Sequence, residues 1–142
     1  MKDHPPAQIR NLALVSPHGT GKTSLAEALL YRTKVTTRHG KVEEGTAALD
    51  FSPEEIHRKI TISLSLAPLE WHDTKINLID TPGYADFVGD MVAGLRVADS
   101  AVFCMKGSAG IDSSGCAKMP IGSLSAIPIL TVPWSIARMR MV

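Results

Sequence analysis

The sequence predicts an α/β domain, a mainly parallel sheet with helices on its faces, and three observations predict it. An apolar run at 9–15 is broken by Ser16-Pro17-His18-Gly19-Thr20-Gly21, and Lys22-Thr23 then opens a helical pattern. A second apolar run at 75–79 ends in the turn Asp80-Thr81-Pro82-Gly83. Beyond it a helical pattern at 86–97 gives way to an apolar run at 100–105, the alternation that parallel strands and crossover helices require.

The first strand, loop and helix start have the form of a Walker A phosphate loop. Glycines at Gly19 and Gly21 let the main chain curl, so that the amides of His18, Gly19, Thr20, Gly21, Lys22, Thr23 and Ser24 point inward as an anion nest. The helix N-terminus adds to that field. Lys22 is expected to reach the outer phosphates and the Thr23 hydroxyl to hold Mg²⁺. Ser16 stands where such loops usually carry their first glycine. The alternative is a chance glycine-rich turn, against which the following helix pattern speaks.

The helix at 22–31 is expected to face the sheet through Leu25, Ala26, Ala28 and Leu29. Residues 32–53 have few apolar positions and read as a mobile connection. At 60–69, Ile60, Ile62, Leu64 and Leu66 alternate with Thr61, Ser63 and Ser65, the period of a half-buried strand. Trp71-His72-Asp73-Thr74 supplies a turn that folds this strand against 75–79 as an antiparallel hairpin. The helix at 86–97 is expected to turn Phe87, Val88, Met91, Val92 and Leu95 inward. The architecture predicted is a three-layer P-loop NTPase fold, incomplete in its C-terminal half.

Length and charge narrow the function. The chain has 142 residues, enough for one domain with a core, and 15 Lys and Arg against 14 Asp and Glu give no general attraction to nucleic acid or membrane. The two cysteines, Cys104 and Cys116, make neither a disulfide framework nor a metal-ligand spacing, which suits a reduced compartment. The N-terminus lacks a signal-peptide core, and no segment has the roughly eighteen uninterrupted apolar residues of a spanning helix. A soluble, cytoplasmic chain is expected, with no membrane association, no direct DNA binding and no oligomer.

Asp80-Thr81-Pro82-Gly83 at a strand end has a mechanical use: the aspartate holds magnesium, and Gly83 lets its amide approach a γ-phosphate, which can then pull on 84–88. Thr61 stands where its hydroxyl could close over the same ion, although from Thr61 alone an ordinary strand residue is an equal reading. Taken with Asp50, Glu55, Arg58-Lys59-Ile60-Thr61-Ile62, Ile76-Asn77, Asp80 to Phe87 and Leu95-Arg96-Val97-Ala98-Asp99, these motifs resemble the G domain of bacterial elongation factor G over residues 9–111. They most resemble the elongation factor G-like paralogues, whose turn reads with tyrosine. The resemblance implies a GTPase that binds GTP or GDP with Mg²⁺ through Thr23, Thr61 and Asp80, changes two switches on hydrolysis, and works on the ribosome.

Departures from the family pattern mark this chain. Lys59 replaces a glycine, which would stiffen the first switch; His57 replaces a glutamate; Lys106 replaces a strand-ending aspartate. Tyr84 stands where the main factors have histidine to position the attacking water, so Tyr84 is the candidate catalytic residue. Its phenol, with a reference pKa of about 10, stays neutral and offers one hydrogen bond, and slow intrinsic hydrolysis is expected. From 112 to 142 the resemblance ends. The Asn-Lys-x-Asp motif that reads guanine is absent, no helix is convincing at 113–142, and the apolar run at 127–132 is a candidate for an added strand at the sheet edge. The reading is a partial G domain at 1–111 and a divergent tail at 112–142, produced by a frameshift near Ile111 or else belonging to a genuine short variant. Two other functions stay open: a nucleotide-binding fragment without significant turnover, and a non-functional truncated fragment. A P-loop kinase or ATPase is disfavoured by the pairing of Thr61 with the Asp80 turn.

Overall fold

The computed structural model describes residues 3–105 and the backbone of 129–133. Five strands form one sheet: β1 (Ile9–Val15), β2 (Ser65–Trp71), β3 (Thr74–Asp80), β4 (Ser100–Met105) and β5 (Ile129–Pro133), in the order β2-β3-β1-β4-β5. β1 is parallel to β3 and β4, β4 to β5, and only β2 runs antiparallel, against β3. The helices are α1 (Lys22–Arg32), α2 (Pro53–Arg58) and α3 (Val88–Val97), with short 3-10 turns at Pro6–Gln8, Val42–Glu44 and Ala85–Phe87.

Side-chain alternation along β1 makes the three layers. Leu12 and Leu14 point to the face covered by α1, where Leu14 meets Ala26, Leu30, Leu69, Leu78 and Val102. Ala13 and Val15 point to the other face, where α3 brings Met91 and Leu95 against Ile79 and Phe103. A central strand buried on both sides needs a continuous apolar run, which is what 12–15 supplies. Asn11 locks the end of α3 to the sheet: its amide donates to Asp99 (2.6 Å), and its side chain donates to Val97 O (2.9 Å) and accepts from Asn77 (2.8 Å).

Several expectations are corrected. The strand read at 60–69 begins only at Ser65, and its inward residues are Ser65, Ala67 and Leu69, while Leu66 is 61% exposed. Residues 60–64 precede the strand because their backbone and Thr61 are engaged by side chains from elsewhere. α1 buries Thr23, Ala26, Glu27 and Leu30 along its central line; Leu25 and Leu29 flank it and are only half-buried. On α3 Val88 is exposed, and Met91, Gly94 and Leu95 face inward. The stretch at 32–53, read as a loose connection, packs Ala47, Leu49 and Asp50 into the interior and leads into α2. The hairpin turn is as expected: His72 and Asp73 both take left-handed backbone (φ 46° and 58°), the twist that suits a two-residue connection. The apolar run at 127–132 overlaps β5 at the sheet edge. The readings that concern Lys106, Cys116 and the absence of helix at 113–142 lie outside the described residues.

Candidate functional site

The loop between β1 and α1 curls through two left-handed glycines, Gly19 (φ 75°) and Gly21 (φ 89°). Gly21 is the residue before α1, and no side chain caps the helix, so its first amides are left for a ligand. Ser16 takes no left-handed backbone, which is why serine serves where a glycine is usual; its hydroxyl meets that of Thr20. Thr20 in turn donates to Pro17 O (2.9 Å), closing the loop on itself. Lys22 lies buried under the loop and donates to Ser16 O (2.9 Å) and Pro17 O (3.2 Å). Burial lowers its pKa, and the carboxylates of Asp80 and Asp50 work against that shift. A cavity of about 460 Å³ is lined by residues 18–24, by 39–43 and by Lys59, Ile60 and Thr61. Its cations include Lys22, Lys41 and Lys59, which suits an anionic ligand.

At one end of the loop, four oxygen-bearing side chains converge. Thr23 Oγ1 donates to Asp80 Oδ2 (2.7 Å) and lies 2.9 Å from Thr61 Oγ1, which donates to Asp50 Oδ1 (2.9 Å). Two hydroxyl protons serve three contacts. A hydrogen bond at the Thr23–Thr61 contact therefore requires a third proton, on the carboxyl of Asp80 or on that of Asp50, both of which burial pushes upward. Burial pushes the Asp80 carboxyl up to about 6, against the Thr23 hydrogen bond and the charge of Lys22. The buried atoms Asp80 Oδ1 and Asp50 Oδ2 have no hydrogen-bond partner. Hydroxyl and carboxylate oxygens with uncompensated negative charge fit a hard divalent cation such as Mg²⁺.

Gly83 follows Asp80 in a turn pressed against the loop. Its carbonyl accepts from the His18 amide (3.0 Å), and a Cβ added there would lie 2.6 Å from His18 N and 2.6 Å from Lys22 Nζ. Tyr84, next in the chain, stacks on His18 with ring centroids 4.3 Å apart and planes at 26°. The structure therefore brings Thr23, Thr61 and Asp80 together and sets Gly83 and Tyr84 beside the loop.

Three buried carboxylates hold the segment that carries Thr61. Glu27, one turn after Thr23 on α1, accepts from the amides of Ala48 (2.7 Å) and Leu49 (3.1 Å). Asp50 takes the Thr61 hydroxyl, and burial raises its pKa. Glu55 accepts from the amides of Ser52 (3.1 Å), Ile62 (3.0 Å) and Ser63 (3.1 Å). Burial works to raise the Glu55 pKa, but the hydrogen bonds from Ser63, Ile62 and Ser52 together outweigh it and the net shift is downward. Sequence reasoning gave Glu27 no role and missed α2. The signal for α2 was present: Ser52-Pro53-Glu54-Glu55 is a capping box with proline at the first helical position, and both reciprocal bonds form. Glu27 left no local signal, because its partners lie 21 and 22 residues away.

The Elongation factor Tu GTP binding domain matches residues 7–132. The chain belongs to this family. Among relatives of this GTP-binding domain, the Elongation factor G-like protein of Mycobacterium tuberculosis (strain H37Rv) is 50% identical over 107 residues, 75% of this chain and 15% of that protein. Elongation factor G 2 of Streptomyces coelicolor is 39% identical over 112 residues, 79% of this chain and 16% of that protein. The chain thus spans about 15% of the length of the curated relatives it matches. A crystal structure of a Thermus thermophilus protein superposes with a TM-score of 0.82 at 38% identity, over 89% of this chain and 19% of that one. Translation elongation factor SelB from Methanococcus maripaludis, in complex with the GTP analogue GppNHp, shares the fold: its TM-score is 0.62 at 22% identity, over 90% of this chain and 22% of that one. Among the described residues, no helix of the GTP-binding domain is long and apolar enough to cross a membrane.

Proposed function

We propose that this chain is the GTP-binding part of an elongation factor G-like translation factor that acts on the ribosome in the cytoplasm, and that it hydrolyses GTP slowly. The observation that carries the reading is the convergence of Thr23, Thr61 and Asp80 beside a self-closed phosphate loop. In this reading the amides of 19–24 bind phosphate oxygens, the His18 amide being taken by Gly83 O, and Lys22 neutralises their charge. Thr23, Thr61 and Asp80 hold Mg²⁺, which when bound supplies further charge neutralisation at the phosphates. Gly83 brings its amide to the terminal phosphate, and the Tyr84 hydroxyl orients the attacking water. Residues 1–111 carry this chemistry; although the family match runs on to 132, we read 112–142 as a divergent tail that arose by a frameshift near Ile111. An intact downstream frame encoding Asn-Lys-x-Asp at the locus would support that origin, and its absence would sink it.

Titration with labelled GTP and ATP, with and without Mg²⁺, tests the function. Preference for GTP with slow release of phosphate supports it. Equal, weak binding of both nucleotides without turnover supports instead a nucleotide-binding fragment, a reading favoured by the absence of Asn-Lys-x-Asp and by Tyr84. No binding by a chain that has lost near-ultraviolet dichroism overturns both.

A further inference from the structure

We propose that His18 is the positioning residue for Tyr84: the imidazole of the phosphate loop and the phenol of the adjacent turn form one stacked pair that fixes where the Tyr84 hydroxyl sits beside the phosphate cavity. The inference rests on the GTPase reading above and deepens it.

Two contacts join the same residues. The rings stack at 4.3 Å and 26°, and the His18 amide donates to Gly83 O at 3.0 Å. His18 thereby grips both the backbone and the side chain of the turn. There is no slack between them, because even a methyl group on Gly83 would lie 2.6 Å from His18 N. Tyr84 is 38% exposed, and among the described residues its hydroxyl makes no hydrogen bond, so the ring takes its orientation from the stack. A phenol free to rotate would carry its hydroxyl across several ångströms. A hydroxyl meant to orient one water needs its ring held to a fraction of that.

The pairing also accounts for the histidine. His18 lines the cavity, and burial followed by the charge of Lys22 lowers its pKa. A neutral ring can pack flat against a phenol and leave the loop's amides and Lys22 to meet the phosphates. Tyr84 is also the residue at which the Ala85–Phe87 turn starts, with Phe87 N donating to Tyr84 O (3.1 Å), so the stack sets the entry to α3 as well.

Proton NMR of the 142-residue chain without nucleotide tests the contact. His18→Gln assigns the imidazole signals by their loss. Tyr84→Ala is expected to move those signals downfield by removing the ring current, and Tyr84→Phe, which keeps a ring, to leave them in place. His18 signals unmoved in Tyr84→Ala would overturn the stack. Steady-state GTP hydrolysis tests the consequence. His18→Ala is expected to lower kcat about two- to tenfold with KM little changed, the span set by one aromatic pair. His18→Phe, which restores a flat ring, recovers most of the loss. A kcat unaffected by His18→Ala, or not recovered by His18→Phe, would overturn the positioning role. If the wild-type chain binds GTP without any turnover, the GTPase reading fails and the positioning role with it, while the NMR result still judges the stack on its own.

Discussion

Residues 16–24 hold their own shape through local bonds, whereas residues 40–63, whose two ends line the other side of the same cavity, are held by three buried carboxylates, one reaching in from α1 and two from within the segment itself. The phosphate loop closes through bonds within itself, from Thr20 to Pro17 and from Lys22 to Ser16 and Pro17, and through two left-handed glycines. The second region depends on Glu27 from α1, and on Asp50 and Glu55 clasping amides and a hydroxyl up to a dozen residues further on. The first arrangement is stiff and local. The second delivers Thr61 to Thr23 and can release it at the cost of a few side-chain hydrogen bonds, which is what a segment that answers to a ligand requires.

The largest effect should come from the carboxylate that ties the two regions together. Glu27→Ala leaves the buried amides of Ala48 and Leu49 without an acceptor and is expected to cost about 3–4 kcal/mol in urea unfolding. Glu27→Gln keeps an acceptor oxygen, and should lose less than half of that. Equal losses in the two variants would mean that Glu27 acts through packing alone.

Next comes pH. The folded Asp80 carboxyl titrates at about 6, above its ordinary 3.8, so the proton binds more tightly in the folded state. Its stabilising contribution is complete below about pH 4 and is lost as pH rises through 6, roughly 3 kcal/mol in all without a divalent cation. Asp50, also raised by burial, works in the same direction. Asp80→Asn should flatten most of that slope. Mg²⁺ should bind more weakly below pH 6 and release a proton on binding, measured by calorimetry in two buffers of different ionisation enthalpy.

Breaking the self-held region should affect ligand more than fold. Lys22→Ala is expected to weaken GTP binding about 100-fold, with little change in urea midpoint, since removing a buried cation also removes its desolvation cost. A large loss of stability would show that the loop needs the lysine to close. The smallest effect falls at Lys59, which ends α2 in left-handed backbone at φ 56°. This is the physical reason glycine is usual there. Lys59→Gly should stabilise the fold by about 0.5–1 kcal/mol, the left-handed strain relieved less the entropy glycine adds to the unfolded chain. The same change should quicken hydrogen exchange at Ile62 if Lys59 stiffens this segment.

How far the site could be read in advance follows the same division. The loop, the Asp80 turn and the His72-Asp73 hairpin were legible because each depends on glycine, proline or short polar residues at fixed local offsets. The alternation at 60–66 was legible as a pattern and misleading as a strand. Thr61 is turned inward by Thr23 and Asp50, the amides of Ile62 and Ser63 are taken by Glu55, and regular pairing starts only at Ser65. α2 could have been read from its capping box. Glu27 could not, because one acidic residue on a helix is ordinarily a solvated one.

What the sequence determined by itself is the backbone geometry of the phosphate loop and of the turns, since conformational strain is paid residue by residue and the residue types declare it. Only the tertiary structure decided which carboxylates are buried and whom they hold, that Thr61 meets Thr23 and Asp50, and that His18 lies flat on Tyr84. Those contacts join residues far apart in the chain, and their strength comes from burial, which exists only once the sheet and its two helix layers have closed around them.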